Sequence, residues 1–303
     1  MSLSADELLD RMKLKSEVKR WRYLTILISV LLGFSILGKA VNVSGSKEDY
    51  IAKVNVSGVI LESQERDKVL ESLKDSEHVK AVLVYINSPG GTIVGGEKIY
   101  NSLRAIAEVK PVVAVMGSLA ASGGYMAAIA ADKIYTSSGT MTGSIGVMIQ
   151  TAEMTELAKK LGVNFVTFKS GDLKGSPSPL EKLNPRAAKV LQASIDDGHE
   201  FFVGLVAQRR PLTKQEVLKL SDGRIYTGRQ AVENKLVDAI GDEQDAIDWL
   251  VKEKNISSSL KVKNVKTKSK KNPFKDILSN VIGSDTPYIS QILPSGMMAM
   301  WHH

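Results

Sequence analysis

Cysteine is absent from this 303-residue chain, which removes a thiol nucleophile, a thiolate metal site and any disulfide from consideration. Histidine is scarce, with four residues, and no His-Glu-x-x-His pair of the kind that binds zinc is present. Gly90-Gly91 and Gly95-Gly96 do not space as the Gly-x-Gly-x-x-Gly turn of a dinucleotide fold. Neither a metal nor an organic cofactor is implied. The net charge of +7 does not point to nucleic acid, because the excess lysine is concentrated near the C-terminus rather than along a helix interleaved with aromatics.

Long apolar runs are also lacking, with one exception. Tyr23 to Gly38 carry no charge. About 16 residues at 1.5 Å each span roughly 24 Å, short for a bilayer core of about 30 Å unless Trp21, Ala40 and Val41 extend the run. Arg11, Lys13, Lys15, Lys19, Arg20 and Arg22 precede it. Basic residues stay on the cytoplasmic side of a span. The expectation is a cytoplasmic segment at 1–22 and a retained, single-pass signal anchor at 23–41 in the bacterial cytoplasmic membrane. The remainder would then lie on the extracytoplasmic side. Gly38-Lys39-Ala40 keeps open the alternative of a cleaved signal peptide.

After a linker at 42–49, short apolar runs alternate with helical periodicity, the pattern of an α/β fold. Strands are expected at Tyr50 to Ile60, Val79 to Ile86, Pro111 to Met116, Lys133 to Thr136, Ile145 to Gln150 and Val163 to Phe168. Helices are expected at Gln64 to Ser76, Gly95 to Glu108, from Gly123, and at Ala152 to Leu161. Further helices should span Pro185 to Arg210, Thr213 to Leu220, Gly228 to Lys235 and Asp242 to Lys254. Ala81-Val-Leu-Val-Tyr-Ile86 is apolar on both faces, as expected of a strand covered by helices on both sides. Beyond residue 254, serine and then lysine dominate, and 255–303 reads as a flexible basic linker and tail.

The chain is organised around Met116-Gly-Ser-Leu-Ala-Ala-Ser-Gly-Gly-Tyr125, which joins an expected strand to an alanine-rich helix. A serine at such a turn can hold its hydroxyl in the open while free backbone N–H groups face a developing negative charge. Taken alone, the segment also suits a plain helix N-cap with turn glycines. A nucleophilic serine needs a base. His78 and His199 sit in surface-like and helical contexts and His302 and His303 end the tail, contexts more suited to structural or solvated roles; lysine is the other base available, and Lys169, Lys174 and Lys182 follow the last expected strand. Two more glycine-bearing turns, Asn87-Ser-Pro-Gly-Gly-Thr92 and Thr140-Met-Thr-Gly-Ser-Ile-Gly146, border strands. The carboxyl ends of strands are where open α/β sheets place their ligands.

Together, Asn87-Ser-Pro-Gly-Gly91, Gly117-Ser-Leu-Ala-Ala-Ser-Gly-Gly-Tyr125, Ala131-Asp-Lys-Ile134, Thr142-Gly-Ser-Ile-Gly-Val147 and Lys169-Ser-Gly-Asp-Leu-Lys-Gly175 resemble the signal peptide peptidase A family. That resemblance covers roughly Tyr50 to Lys254. It implies a Clp protease/crotonase-like repeated β-β-α spiral at 50–254, preceded by one transmembrane helix. It also implies a serine nucleophile at Ser122, a general base at Lys174, a lysine-orienting hydroxyl at Ser144 and an oxyanion hole from the N–H groups of Gly91 and Gly123. With one copy of the unit, the chain resembles the half-length members, which form homo-oligomeric rings that share catalytic residues between subunits. The expected function is a membrane-anchored Ser-Lys endopeptidase degrading released signal peptides and other short apolar peptides. The rivals are a membrane protease acting on intact membrane proteins, an acyl-CoA hydratase-like enzyme and a non-catalytic membrane scaffold ring.

Overall fold

The computed structural model describes residues 21–29, 48–265 and 298–300. The chain divides into two units, Met1–Glu48 and Asp49–His303. In the first, residues 21–29 form helix α1, which exposes Trp21, Tyr23, Leu24, Ile26, Leu27 and Ile28. The rest of the expected 23–41 span lies outside the described residues. Among the described residues, no helix is long and apolar enough to cross a membrane.

The second unit begins with β1 (Tyr50–Ser57), α2 (Gln64–Asp75), β2 (Val79–Ser88), β3 (Gly90–Thr92), α3 (Ile93–Ala107), β4 (Val112–Ala121) and α4 (Gly123–Ala128). It continues with β5 (Lys133–Thr136), β6 (Met141–Gly143), α5 (Thr155–Lys160), α6 (Pro185–Arg209), α7 (Lys214–Leu220) and β7 (Ile225–Thr227). It closes with α8 (Gly228–Glu233), β8 (Ala239–Ile240), α9 (Glu243–Lys254), β9 (Lys261–Val265) and β10 (Met298–Met300). The main sheet runs β7-β6-β4-β2-β1-β9, with β5 beside β4 and β8 beside β5. Its pairs are parallel except β6 with β7, so this is a mixed α/β sheet.

The period of two along each strand divides the core between the faces of the sheet. Ala52, Val54, Val82, Val84, Val112 and Ala114 join Ile99 and Leu103 of α3, Tyr125 and Met126 of α4 and Phe202 of α6. The intervening Ile51, Ala81, Leu83, Val113 and Val115 join Ala246 and Leu250 of α9. Each buried aliphatic side chain contributes about 1.5–3 kcal/mol, and apolar residues fill most of the buried positions of the central strands β1, β2 and β4. The helices start on local signals: Asn184 accepts from the Arg186 N–H with Pro185 in the first turn, and Thr213 with Glu216 and Thr227 with Gln230 form capping boxes.

Two expected strands are absent. Ile145 to Gln150 and Val163 to Phe168 form no named strand, and Val163, Phe165, Val166 and Phe168 are exposed. A β-prone run becomes a strand only where an edge is open to it. Here β6 already has β4 on one side and β7 on the other, so the chain leaving β6 cannot pair beside it. The same segment carries α5, shorter than the expected Ala152 to Leu161 and without a buried residue. In the opposite direction, Lys261–Val265, expected as flexible linker, pair in parallel with β1 as an edge strand. The Lys263 ammonium lies 4.8 Å from the centre of the Tyr50 ring, and lysines are suited to such an edge because they discourage further pairing.

Tyr125 is fully buried, and its hydroxyl donates to the Leu236 carbonyl at 2.8 Å, tying α4 to the turn after α8. Burial pushes the pKa of that hydroxyl well above its ordinary value. Tyr125→Phe leaves the Leu236 carbonyl without this partner and should cost about 1–3 kcal/mol. Urea unfolding should show a lower midpoint at unchanged slope.

Candidate active site

β4 is longer than its apolar run. It continues from Met116 through Gly117-Ser-Leu-Ala-Ala121 because three side chains hold that extension. Asn87 Oδ1 accepts the Leu119 N–H at 3.1 Å, and the hydroxyls of Thr140 and Thr142 donate to the carbonyls of Gly117 and Ala120, each at 2.7 Å. No role for these three is evident from sequence, although each lies inside a glycine-bearing motif. Their effect is to deliver Ser122 at the carboxyl end of β4.

Ser122 occupies the N-cap position of α4 but does not cap it. Its backbone sits at φ 53° and ψ −118°, and its side chain makes no capping bond. The Ser122 N–H donates to the Gly143 carbonyl at 2.8 Å and its own carbonyl accepts from the Met126 N–H at 2.8 Å, which pins the residue from both sides. The hydroxyl is buried and has no hydrogen-bond partner. A non-glycine residue with positive φ carries backbone strain, and here the strain is spent on aiming a hydroxyl rather than satisfying it.

The turn bearing Ser122 touches the turn bearing Gly91, backbone to backbone. A Cβ at Gly123 would lie 3.3 Å from the Gly91 nitrogen and 3.4 Å from Gly90 Cα, and one at Gly124 would lie 2.9 Å from the Ser88 carbonyl oxygen. At Gly91 a Cβ would overlap the Ile60 backbone. Thr92 N–H donates to Ile60 O at 2.9 Å and Ile60 N–H donates to Gly90 O at 2.8 Å. Alternation along the strand therefore turns the N–H of Gly91 itself away from Ile60.

Ser144 is nearly buried and also has positive φ, 49°. Its N–H donates to Arg224 O at 2.9 Å, while the preceding Gly143 carbonyl accepts from Ser122. The turn is thus clamped between the serine loop and residues 221–224. A cleft of about 520 Å³ opens beside it, lined in part by Ser144, Val147, Met148, His199 and Asp222. His199 Nε2 meets the Ser221 carbonyl at 2.7 Å, and the Arg224 guanidinium holds the Asp222 carboxyl down at about 2.

The structure brings Ser122, Gly123, Gly91 and Ser144 together, and Lys174 makes no hydrogen bond to any of them. The Lys174 loop does not leave a strand end, since the expected strand before it is absent. Of the three candidate lysines, Lys169 pairs with Glu181 and Lys182 lies 3.7 Å from Glu156. Lys174 is exposed, and its ammonium has no hydrogen-bond or ion-pair partner among the described residues. No histidine substitutes for it. His78 does lie 3.2 Å from Asp49, but that pair stands before the amino ends of β2 and β1. Ser122 follows the carboxyl end of the parallel strand β4. Among the described residues, no group of His, Asp and Glu is placed to hold a metal ion.

Ser122→Gly removes the positive-φ strain together with a buried, unpartnered hydroxyl, and should raise stability by about 1–2 kcal/mol. A higher urea midpoint than wild type is the expected result, and a lower one would show that the serine backbone is not strained.

A model of peptidase family S49 matches residues 104–257. A putative protease of Synechocystis sp. is 44% identical over 201 residues, which are 66% of this chain and 72% of the relative. A putative signal peptide peptidase SppA of Enterococcus faecium is 38% identical over 229 residues, 71% of this chain and 67% of the relative. The shape overlaps loosely with that of a ClpP1 mutant from Listeria monocytogenes, with a TM-score of 0.42 and 19% identity over 64% of this chain and 93% of that one. With a family match across half its length and relatives this similar over most of theirs, the chain belongs to peptidase family S49, together with its SppA-type relatives.

Proposed function

We propose that this family S49 protease is a membrane-anchored serine endopeptidase, built on a Clp protease/crotonase-like β-β-α spiral, in which Ser122 of one copy works with Lys174 of a neighbouring copy. The observation that carries the reading is the Ser122 hydroxyl, strained, buried, unpartnered and set between the Gly91 and Gly123 turns. The segment 151–184 supports the shared site. It presents Lys174 without a partner, and it exposes Leu157, Leu161, Val163, Phe165, Val166 and Phe168. An apolar display of that extent suits a subunit contact, and a ring of copies would cover it.

In the mechanism, the Lys174 amine takes the Ser122 proton as Oγ attacks the scissile carbonyl. The N–H groups of Gly91 and Gly123 receive the oxyanion, and the ammonium returns its proton to the leaving amine. Water then repeats the sequence on the acyl-enzyme. Lysine serves as a base in its neutral form, which burial among apolar groups favours, and the Ser144 hydroxyl would orient it. The basic segment 1–22 and the apolar 23–41 support an anchor in a bacterial cytoplasmic membrane with the catalytic unit on the extracytoplasmic side. The name of the Enterococcus relative supports released signal peptides and other short apolar peptides as substrates; intact membrane proteins are the alternative. A non-catalytic scaffold ring is the second reading, favoured by the lack of any hydrogen bond between Lys174 and Ser122 within one chain.

A serine-reactive fluorophosphonate should label the wild type, and neither Ser122→Ala nor Lys174→Ala should label. Co-expressing the two variants should restore labelling on the Lys174→Ala chain, because each supplies what the other lacks. If mixed oligomers stay dark, the dyad is not shared between copies. Labelling that survives in Ser122→Ala would remove Ser122 as nucleophile, and a folded wild type that never labels would favour the scaffold.

A further inference from the structure

The loop that carries Lys174 has no core beneath it. No residue from Gly146 to Arg186 is buried, so packing within the chain does not fix the path of this segment. Short turns shape it locally. The Lys174 N–H donates to the Gly171 carbonyl at 3.0 Å, the Ser176 N–H to the Leu173 carbonyl at 3.2 Å, and the Leu180 N–H to Ser178 Oγ at 3.2 Å. The far limb is tied down where the Met154 N–H donates to the Pro179 carbonyl at 2.8 Å. The near limb is joined to it by an ion pair between Lys169 and Glu181, 12 positions apart, which spans the whole loop. The Lys169 ammonium, and after it the Thr167 hydroxyl, hold the Glu181 carboxyl below the usual carboxylate range. Exposed ion pairs contribute little, and the Lys182–Glu156 pair in the same segment is of that kind, with side chains 70% and 65% exposed. The Lys169–Glu181 pair is better shielded, at 17% and 32%.

From this arrangement we infer that Glu181 is a positioning residue for the general base: with Lys169 it closes the 170–180 loop and sets where Lys174 is presented to the Ser122 of the neighbouring copy. The inference rests on the proposed shared dyad and assigns two further residues to it. Lysine carries its nitrogen on a flexible four-carbon stem, and taking the serine proton requires that nitrogen within roughly 2.6–3.2 Å of the hydroxyl. A loop open at its base would add its own freedom to that of the side chain. Joining its ends removes most of that freedom, and it does so before the two copies meet. Orientation of this kind acts on the rate of proton transfer and not on the binding of a peptide. The pair also sorts the lysines. Lys169 is engaged by Glu181 and is no rival for the serine proton, whereas Lys174, between them in sequence, keeps its nitrogen free. Glu181 bonds to Lys169 and Thr167 and acts only through the loop.

The test places Glu181→Gln on one chain or the other of full-length mixed oligomers purified in detergent. In the first arrangement it sits on the Ser122→Ala chain, which supplies Lys174. In the second it sits on the Lys174→Ala chain, which supplies Ser122. The initial rate of fluorophosphonate labelling on the Lys174→Ala chain is the readout. The first arrangement should label about tenfold more slowly than the second, because only there is the loop that delivers the base left open. Equal rates overturn the inference, since a general loss of structure would act from either chain. In uniform oligomers, Glu181→Gln should lower kcat for a fluorogenic apolar peptide by a similar factor with KM little changed, and the charge swap Lys169→Glu with Glu181→Lys should recover most of the loss. A raised KM at unchanged kcat would make the pair part of peptide binding, and a charge swap as slow as Glu181→Gln would show that closure by the ion pair is not what matters; either result overturns the inference. If mixed oligomers of Ser122→Ala with Lys174→Ala fail to label at all, the shared dyad itself has failed, and the inference falls with it.

Discussion

The close approach of two backbone turns is the constraint on which the rest of this molecule depends. The turns at 88–91 and 122–124 meet with no side chain between them, because a Cβ at Gly123 or Gly124 would press on the facing main chain, and Gly91 is packed as closely against the Ile60 backbone. Adjacent parallel strands alone would leave these turns at strand spacing. Closing the gap requires β4 to be extended and held by Asn87, Thr140 and Thr142, and it requires β3 to be bonded to Ile60. The result is a set of main-chain N–H groups placed before any ligand arrives, at a site whose serine cannot relax into an ordinary N-cap. Stabilising charge with dipoles that need no rearrangement is where enzymes gain most.

A second feature follows from how β6 is used. Because β4 and β7 occupy both its edges, the chain beyond it leaves the sheet and forms a segment from about 147 to 184 whose apolar side chains have little to pack against. Such a segment is costly for an isolated subunit and economical for an assembly. The unpaired Lys174 lies on it, between a paired Lys169 and a paired Lys182. In the proposed ring, folding, association and the completion of the dyad would become parts of one event. A subunit detached from its neighbours would hold a strained serine with no base.

Much of the α/β framework was legible in the sequence, and the reasons are local. β2 and the start of β4 show as apolar runs, α6 shows as Asn184-Pro185 followed by a long periodic stretch, and the glycine pairs mark places where a side chain cannot fit. The misreadings share a cause. Val163 to Phe168 has the composition of a strand but pairs with none, and Lys261–Val265 has the composition of a linker but finds the open edge of β1. Strand formation depends on a partner distant in sequence, which composition does not register.

What the sequence by itself determined is the order of elements, the glycines that permit close backbone contact, and the lack of any thiol, disulfide or His-Glu-x-x-His metal motif. Those properties depend on residue type and near neighbours. Only the tertiary structure decided that the Ser122 hydroxyl stands unpaired instead of capping α4, that the His78–Asp49 pair lies at the wrong end of the sheet, and that the Gly91 N–H is turned away from Ile60. Each of these is set by the direction of a backbone bond relative to a strand far away in the chain. That direction is fixed when the sheet assembles, and no local pattern of residues encodes it.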